Sequence, residues 1–425
     1  MSTVPLRYAA DVRTSSVDKH THDGELAIQL CSYTDVYKND RVRPGAGLMR
    51  ATATSDEVER FRLRVGDSVL TKDSEDPSDI GISAYVDGTA DDFVCGYHLA
   101  IARPTNDTHP RYLTWALRSR PILNHFSNHA LGISRYGLTV NGLRSAPIPW
   151  HSTDAQRRIA DFLDDRVARI DQILSGRRAQ VALLHATAAR ASFETVTGFG
   201  LSRERRPTEI AWLGDLPAEW PLFTVSSQFQ VDLGKMLDEK RQKGEHTIPY
   251  LRNTNVQWDT IDTDDLKIMD VALEERGRYT VRSGDLLICE GGQPGRSAIW
   301  TGSLSPLGFQ KALHRARTRG RSRPAWLLEC LRTAVALNVF AVENGQTTIG
   351  HLTNEQLRSL RFPFPDPDVQ DRLLAGLAET RLQVASAVQA LTSSNELLAE
   401  YKQALITAAV TGEIDVTTAG SGIPT

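Results

Sequence analysis

The sequence predicts an α+β chain made of two copies of one unit. Each copy is a mixed α/β globular part followed by one long helix, and the two long helices are expected to pair as an antiparallel coiled coil about a pseudo-twofold axis. Three observations carry this. Shifting the 425-residue chain by 214 positions superposes residues 98–198 on a later stretch without a gap. Each copy holds short apolar runs bounded by Gly-Asp turns, the pattern of strands. Each also closes on about 45 residues with no internal proline before a terminal glycine, Gly198 or Gly412. A register kept over a hundred positions marks a duplicated architecture, and it constrains the fold before any single motif does.

The first globular part covers residues 1–152 and the second residues 213–365. Upstream of the gapless region, "RFRLRVGDSVLT" (residues 60–71) matches "RYTVRSGDLLIC" (residues 278–289) at an offset of 218, and Thr34 of "TDV" matches Thr254 of "TNV" at 220. Further on, "HPRYLTWALRS" falls on "RPAWLLECLRT" and "GLRSAPIPW" on "QLRSLRFPF", both at 214. "YTVRSGDLLICE" alternates around a Gly284-Asp285 turn and reads as strands. A helix follows over residues 324–339, started by Pro324. Another opens at Thr353, where Gln356 completes a capping box.

The first long helix spans residues 153–198 and opens on a second Thr-x-x-Gln box, Thr153 to Gln156. Residues 199–212 read as a linker. The second long helix spans residues 366–412, with Pro367 in its first turn, and residues 413–425 form a tail. Helices of this length usually need a partner. In the second, steps of four and three pick out Leu373, Leu377, Thr380, Val384, Ala387, Leu391, Ser394, Leu398, Tyr401, Leu405 and Ala408, nine of the eleven apolar. That is the seam of a coiled coil. The first helix shows it through Ile159, Leu163, Ile170 and Ile173, then slips by one near Gly176 and resumes at Val181, Leu184, Ala188 and Ala191, which reads as a stutter. Two like helices paired this way would hold the globular parts apart at a set distance.

Composition is that of an ordinary globular chain, 40% hydrophobic and 24% charged. No secretory signal or membrane span is evident, and Cys31, Cys95, Cys289 and Cys330 form no CxxC pair, which fits a cytoplasmic location. Net charge is −3, yet residues 311–323, "KALHRARTRGRSR", hold one Lys, five Arg and one His with no acid. Such a strip either binds phosphate or is a solvated loop.

The segments "WLGDLPAEWPLFTVSSQFQVDLGK", "PYLRNTNVQWDTID", "GDLLICEGGQPGRSAIW", "PFPDPDVQDRLLAGL", "YKQALITAAVTGEIDV" and "IPWHSTDAQRRIADFLDDRVARIDQIL" resemble, in order and duplication, the specificity subunit of Type I restriction-modification systems. The resemblance covers nearly the whole chain. It implies two target recognition domains, each reading half of a bipartite double-stranded DNA site, and helices that set the spacer and dock two methyltransferase subunits. Restriction subunits would complete a host-defence complex. This chain would be non-catalytic and hold no cofactor, while its partners use S-adenosylmethionine, ATP and Mg. The first copy departs from the pattern in lacking a counterpart of "WLGDLPAEW".

The residues agree with borrowed chemistry. "GGQPGRS" (residues 291–297) has neither the spacing nor the lysine of a phosphate loop. His125 and His129 have helical spacing but no obvious third ligand. Arginine and lysine on phosphates would position each domain, and Arg, Asn and Gln on base edges would specify. Candidates are Arg43, Arg50, Arg103 and Arg135 in the first domain, and Lys235, Arg252, Asn255, Gln293, Arg296, Arg317 and Arg319 in the second. Arg103 and Arg317 are repeat equivalents. Candidates for helix pairing are Ile159, Leu163, Ile170, Leu184, Leu373, Leu377, Val384, Leu391, Leu398 and Leu405. The alternative function is a duplicated coiled-coil scaffold that binds proteins and no DNA.

Overall fold

The computed structural model describes residues 2–237, 244–342 and 350–416, without the side chains of residues 341 and 342. The chain forms two compact units, one from residues Met1–Arg178 with Thr392–Thr425, the other from Ala179–Leu391. Both boundaries fall inside the long helices, Thr153–Thr197 and Pro367–Thr411. Each unit therefore holds one globular domain and half of each helix.

In the first unit the main sheet runs Ala10–Thr14, Leu99–Pro104, Ser68–Thr71, Ser83–Val86, with Arg41–Val42 added in parallel at the edge. A second sheet joins Met49–Ala53, Leu26–Cys31 and Phe93–Cys95. The other unit repeats this plan. Phe229–Leu233, Leu313–Thr318, Leu286–Cys289 and Ser297–Ile299 form its main sheet, beside Lys267–Asp270, Thr247–Leu251 and Gly308–Phe309. All four residues of Leu286–Cys289 are buried. The strand sits between two layers, which replaces the expected alternation with a continuous apolar run.

The strip of residues 311–323 is neither a loop nor a uniform basic surface, because Leu313–Thr318 is an inner strand of the sheet. His314 and Arg315 are fully buried, and Arg315 donates to Asp232 Oδ2 at 2.5 Å and to the Thr280 carbonyl. Period-two geometry puts Arg315 and Arg317 on one face, and each is taken up there by a carboxylate of its own domain, Asp232 and Asp285.

The chain start is also defined. Thr3–Pro5 pairs with Pro147–Pro149 as Leu222–Thr224 pairs with Arg361–Pro363, so both copies close at the foot of a long helix. Part of the stretch read as a linker is a strand, Arg205–Pro207, paired with Asp215–Pro217. The Pro324 helix ends at Ala336, just before Asn338 with its positive φ of 54°.

The long helices dock through one device used twice. Gln156 is buried; its Oε1 accepts from the His109 backbone N–H at 2.7 Å, and its Nε2 donates to the Asp107 and His151 carbonyls. Gln370 does the same with the N–H of Arg323 and the Pro365 carbonyl. Each glutamine thus satisfies an orphan donor at the start of a proline-led helix. The Thr153–Gln156 capping box does not form, because Gln156 is committed there. Ser152 occupies the capping position instead, its Oγ accepting from Ala155 N at 3.4 Å. Beside each glutamine, Tyr112 Oη and Trp326 Nε1 donate to equivalent carbonyls, Pro149 and Pro363.

The helices run antiparallel within each unit. In the first, Asp171 binds Lys402 at 2.6 Å and Arg177 donates to Ser394 Oγ at 2.8 Å, so partners fall in number along one helix as they rise along the other. In the second, Arg381 donates to Ser192 Oγ. Ile159, Leu163, Ile170 and Leu377 are buried, and Leu184, Leu373, Val384, Leu391, Leu398 and Leu405 are half-buried. The expected stutter at Gly176 is absent. Leu174 is 7% exposed against 37% for Ile173, so the low-exposure positions step 163, 167, 170, 174, 177, 181, 184 in unbroken fours and threes. The same steps extend back through Ala160 to Gln156, and Ile159 is buried as well because the helix there meets its domain core. The second helix does slip, after Leu398, where Lys402 faces the seam and Tyr401 is 45% exposed.

Candidate nucleic-acid interface

Each main sheet has two unlike ends. One carries the docked long helix. The other is a cluster of loops, assembled by register: Leu233, Cys289, Ser297 and Leu313 lie together at one edge of the second domain's sheet. From there leave the chain after Leu233, the hairpin of residues 290–296, and the turn before Leu313. Lys235 bridges Gln310, and Gln310 N donates to the Leu251 carbonyl, which brings in residues 252–256. Asn253 then ties the cluster, donating to the Gly291 carbonyl at 2.8 Å and accepting from Arg296 Nη2 at 3.0 Å.

Lys235, Arg252, Asn255, Gln293 and Arg296 therefore come together at the loop end. Gln293 is exposed and half-buried Arg296 stands behind it. Lys235 pairs with Glu275, and Arg252 with Asp265 at 2.7 Å. The hydrogen bond from Arg252, followed by those and the charge from Lys267, holds the Asp265 carboxyl below its usual range. Asn255 points inward: it is 3% exposed, its Oδ1 accepts from Arg252 N, and its Nδ2 donates to the Asp262 carbonyl, so it shapes the loop that presents Arg252.

Arg317 and Arg319 lie at the other end of the strand, near Phe229. Arg317 clamps Asp285 through Nε and Nη2, both at 2.7 Å, while Arg103 clamps Asp67 at 2.8 and 2.7 Å. Both carboxylates also accept backbone N–H bonds, from Arg282 and Arg64. The two arginines and the Gly-Asp turns thus recur because they form one structural lock, built twice at the helix end. Arg43 is at that end too, 2.5 Å from Asp87, whereas Arg50 is on the edge strand beside Asp92.

Of the first-domain candidates, only Arg135 reaches the loop end. There its Nη2 lies 3.0 Å from His98 Nδ1, His98 contacts Asp73 at 2.8 Å, and Tyr97 packs on the His98 ring at 3.6 Å. Tyr33 and Tyr37 stack at 5.5 Å nearby. Burial, then the charge of Asp79, raises the Tyr33 phenol. His98, Tyr97, Tyr33, Asn253, Gln310 and Lys311 were not singled out from sequence. Each sits one to three residues beyond a strand end, the signal that could have found them.

Among the described residues, no group of three or more His, Cys, Asp or Glu is placed to hold a metal ion, and no helix is long and apolar enough to cross a membrane. His125 and His129 stack at 4.0 Å, with ring nitrogens on the Gly142 and His125 carbonyls. All four cysteines are buried and free.

No protein-family model matches the sequence, and no curated protein matches it. Solved structures do match. A chain from a structure described as the basis of complex assembly and conformational transition of the type I R-M system is 18% identical, with a TM-score of 0.73 over 97% of this chain and 98% of that one. The HsdS subunit from Thermoanaerobacter tengcongensis is also 18% identical, with a TM-score of 0.55 over 97% of each chain. At such identity the likeness is one of architecture: from end to end, the chain has the fold of these Type I restriction-modification structures.

Proposed function

We propose that this protein is the DNA-specificity subunit of a Type I restriction-modification complex. Its two domains each read one half of a bipartite double-stranded site, and the paired helices set the spacing and dock two methyltransferase subunits. Those partners supply S-adenosylmethionine-dependent adenine methylation, and restriction subunits supply ATP- and Mg-dependent cleavage. This chain itself contributes recognition rather than catalysis.

One observation carries the reading. Within a single chain the helix end of the domain is repeated residue for residue, as in Asp67–Arg103 and Asp285–Arg317 or Gln156 and Gln370. The loop end is rewritten, "KDSEDPSDIGIS" in one copy and "EGGQPGRS" in the other. A common scaffold with different tips is what two half-sites of different sequence require. Lys235, Arg252, Gln293 and Arg296 in one domain, and Arg135 in the other, are the proposed contacts. Phosphate pairing positions such a domain, and side chains on base edges give it sequence preference.

Mapping methylated adenines in host DNA with and without this gene tests the reading. Deletion should remove one bipartite motif, and the purified complex should bind that motif with steep salt dependence. An unchanged methylation pattern, with assembly of protein partners but no duplex binding, would establish the scaffold instead.

A further inference from the structure

The hairpin of the first domain carries a residue that no packing accounts for. Ile133 is 95% exposed and Leu131, two residues before it, is 65% exposed. Isolated apolar side chains on a surface are ordinary, but this one stands at the tip of a braced loop. Ala130–Leu131 pairs with Tyr136–Leu138, which pairs on its other side with Asp73–Ser74, so the hairpin joins a three-stranded sheet at the loop end. Gly132 closes it at φ +150°, where a Cβ would stand 1.9 Å from the Arg135 carbonyl oxygen, so only glycine makes this turn. Arg135 follows the tip and rests on His98, itself held by Asp73. The tip is thus a rigid apolar point with a cation at its base.

We infer that Ile133 is a wedge that enters between stacked base pairs of the half-site read by the first domain, with Arg135 as its flanking contact. This rests on the DNA-recognition reading above. Proteins that deform DNA insert single Ile, Leu, Met or Phe side chains at a base step, unstack it and kink the duplex. A protein partner is a poorer fit, because a stable interface buries a broad patch on each side rather than one protruding side chain. The position 214 after Ile133, Thr347, lies outside the described residues.

The test uses the full chain assembled with its methyltransferase subunits, on duplexes carrying the mapped motif with 2-aminopurine placed in turn through both half-sites. Fluorescence should rise at one step in the half-site that the first domain reads. Ile133→Ser should abolish that rise and Ile133→Leu restore it, with unfolding midpoints unchanged because the side chain is exposed. No rise with the native chain, or a rise indifferent to Ile133→Ser, overturns the wedge. So does loss of methyltransferase assembly in Ile133→Ser with the rise intact, which would make the tip a protein contact. Absence of duplex binding by the native complex would instead bring down the DNA reading itself.

Discussion

Arg103 and Arg317 show how a residue can be prominent in a sequence for a reason other than the one it suggests. Their carboxylate partners, Asp67 and Asp285, are 1% and 3% exposed in their side chains. Removing either arginine strands a buried charge, so Arg103→Ala and Arg317→Ala should each cost about 3 kcal/mol in chemical denaturation. Neither should alter which bases a surviving complex methylates. His314 gives a second residue-scale prediction. Burial holds its imidazole below the ordinary value, against the opposing pull of the Leu352 carbonyl and Glu290. The unfolded chain therefore takes up the proton first. The stabilising contribution is complete above the unfolded value of about 6.5 and is lost as pH falls from there toward the folded value. The first copy has Ala100 at this position. His314→Gln should flatten the acid-side fall of the second domain's unfolding midpoint, while His109 and His125, lowered by burial in the first domain, keep theirs.

Among the elements, the long helices and their repeat were legible from sequence because a heptad pattern and a constant offset survive any surface detail. The phase of the first seam was not, since Ile173 and Leu174 are equally apolar and only packing distinguishes them. Leu174→Ala should destabilise by roughly 2–3 kcal/mol, within the range for truncated core leucines, and Ile173→Ala by well under 1. Equal losses in thermal melts would restore the stutter at Gly176. The loop ends resisted reading for a different reason. The repeat offset drifts from 214 to 220 there, so the copies cannot be compared position by position, and residues such as Asn253 and His98 act through what the register brings beside them. The basic run of residues 311–323 misled in the opposite way. Charge counted along a chain ignores the carboxylates, Asp232 and Asp285, that folding sets against Arg315 and Arg317.

For the whole molecule, the seam, unbroken in the first helix and in the second as far as Leu398, specifies how its length can be changed. Seven residues inserted into both long helices, after Arg178 and after Leu391, keep every apolar position in phase, whereas four in one helix alone do not. The paired insertion adds roughly 10 Å at ~1.5 Å per residue, about three base-pair steps. Under the proposed function the methylated motif should keep both half-sites and lengthen its spacer. Altered half-site bases would refute the division between reading domains and spacing helices.

The first unit is also discontinuous in the chain. Its core joins Leu6, Tyr112, Trp115 and Leu163 to Ile406, Ala409 and Val410, which lie some two hundred and forty positions or more beyond them. On the ribosome, the domain translated first is thus the last to be completed. It waits, with an apolar face of its helix uncovered, while all of residues 179–391 emerge and fold. A message broken just after the codon for Leu391 would release a chain whose second unit is whole and whose first lacks its closing piece. That makes the integrity of the far end a condition on the near one, and a natural point for cellular quality control to act.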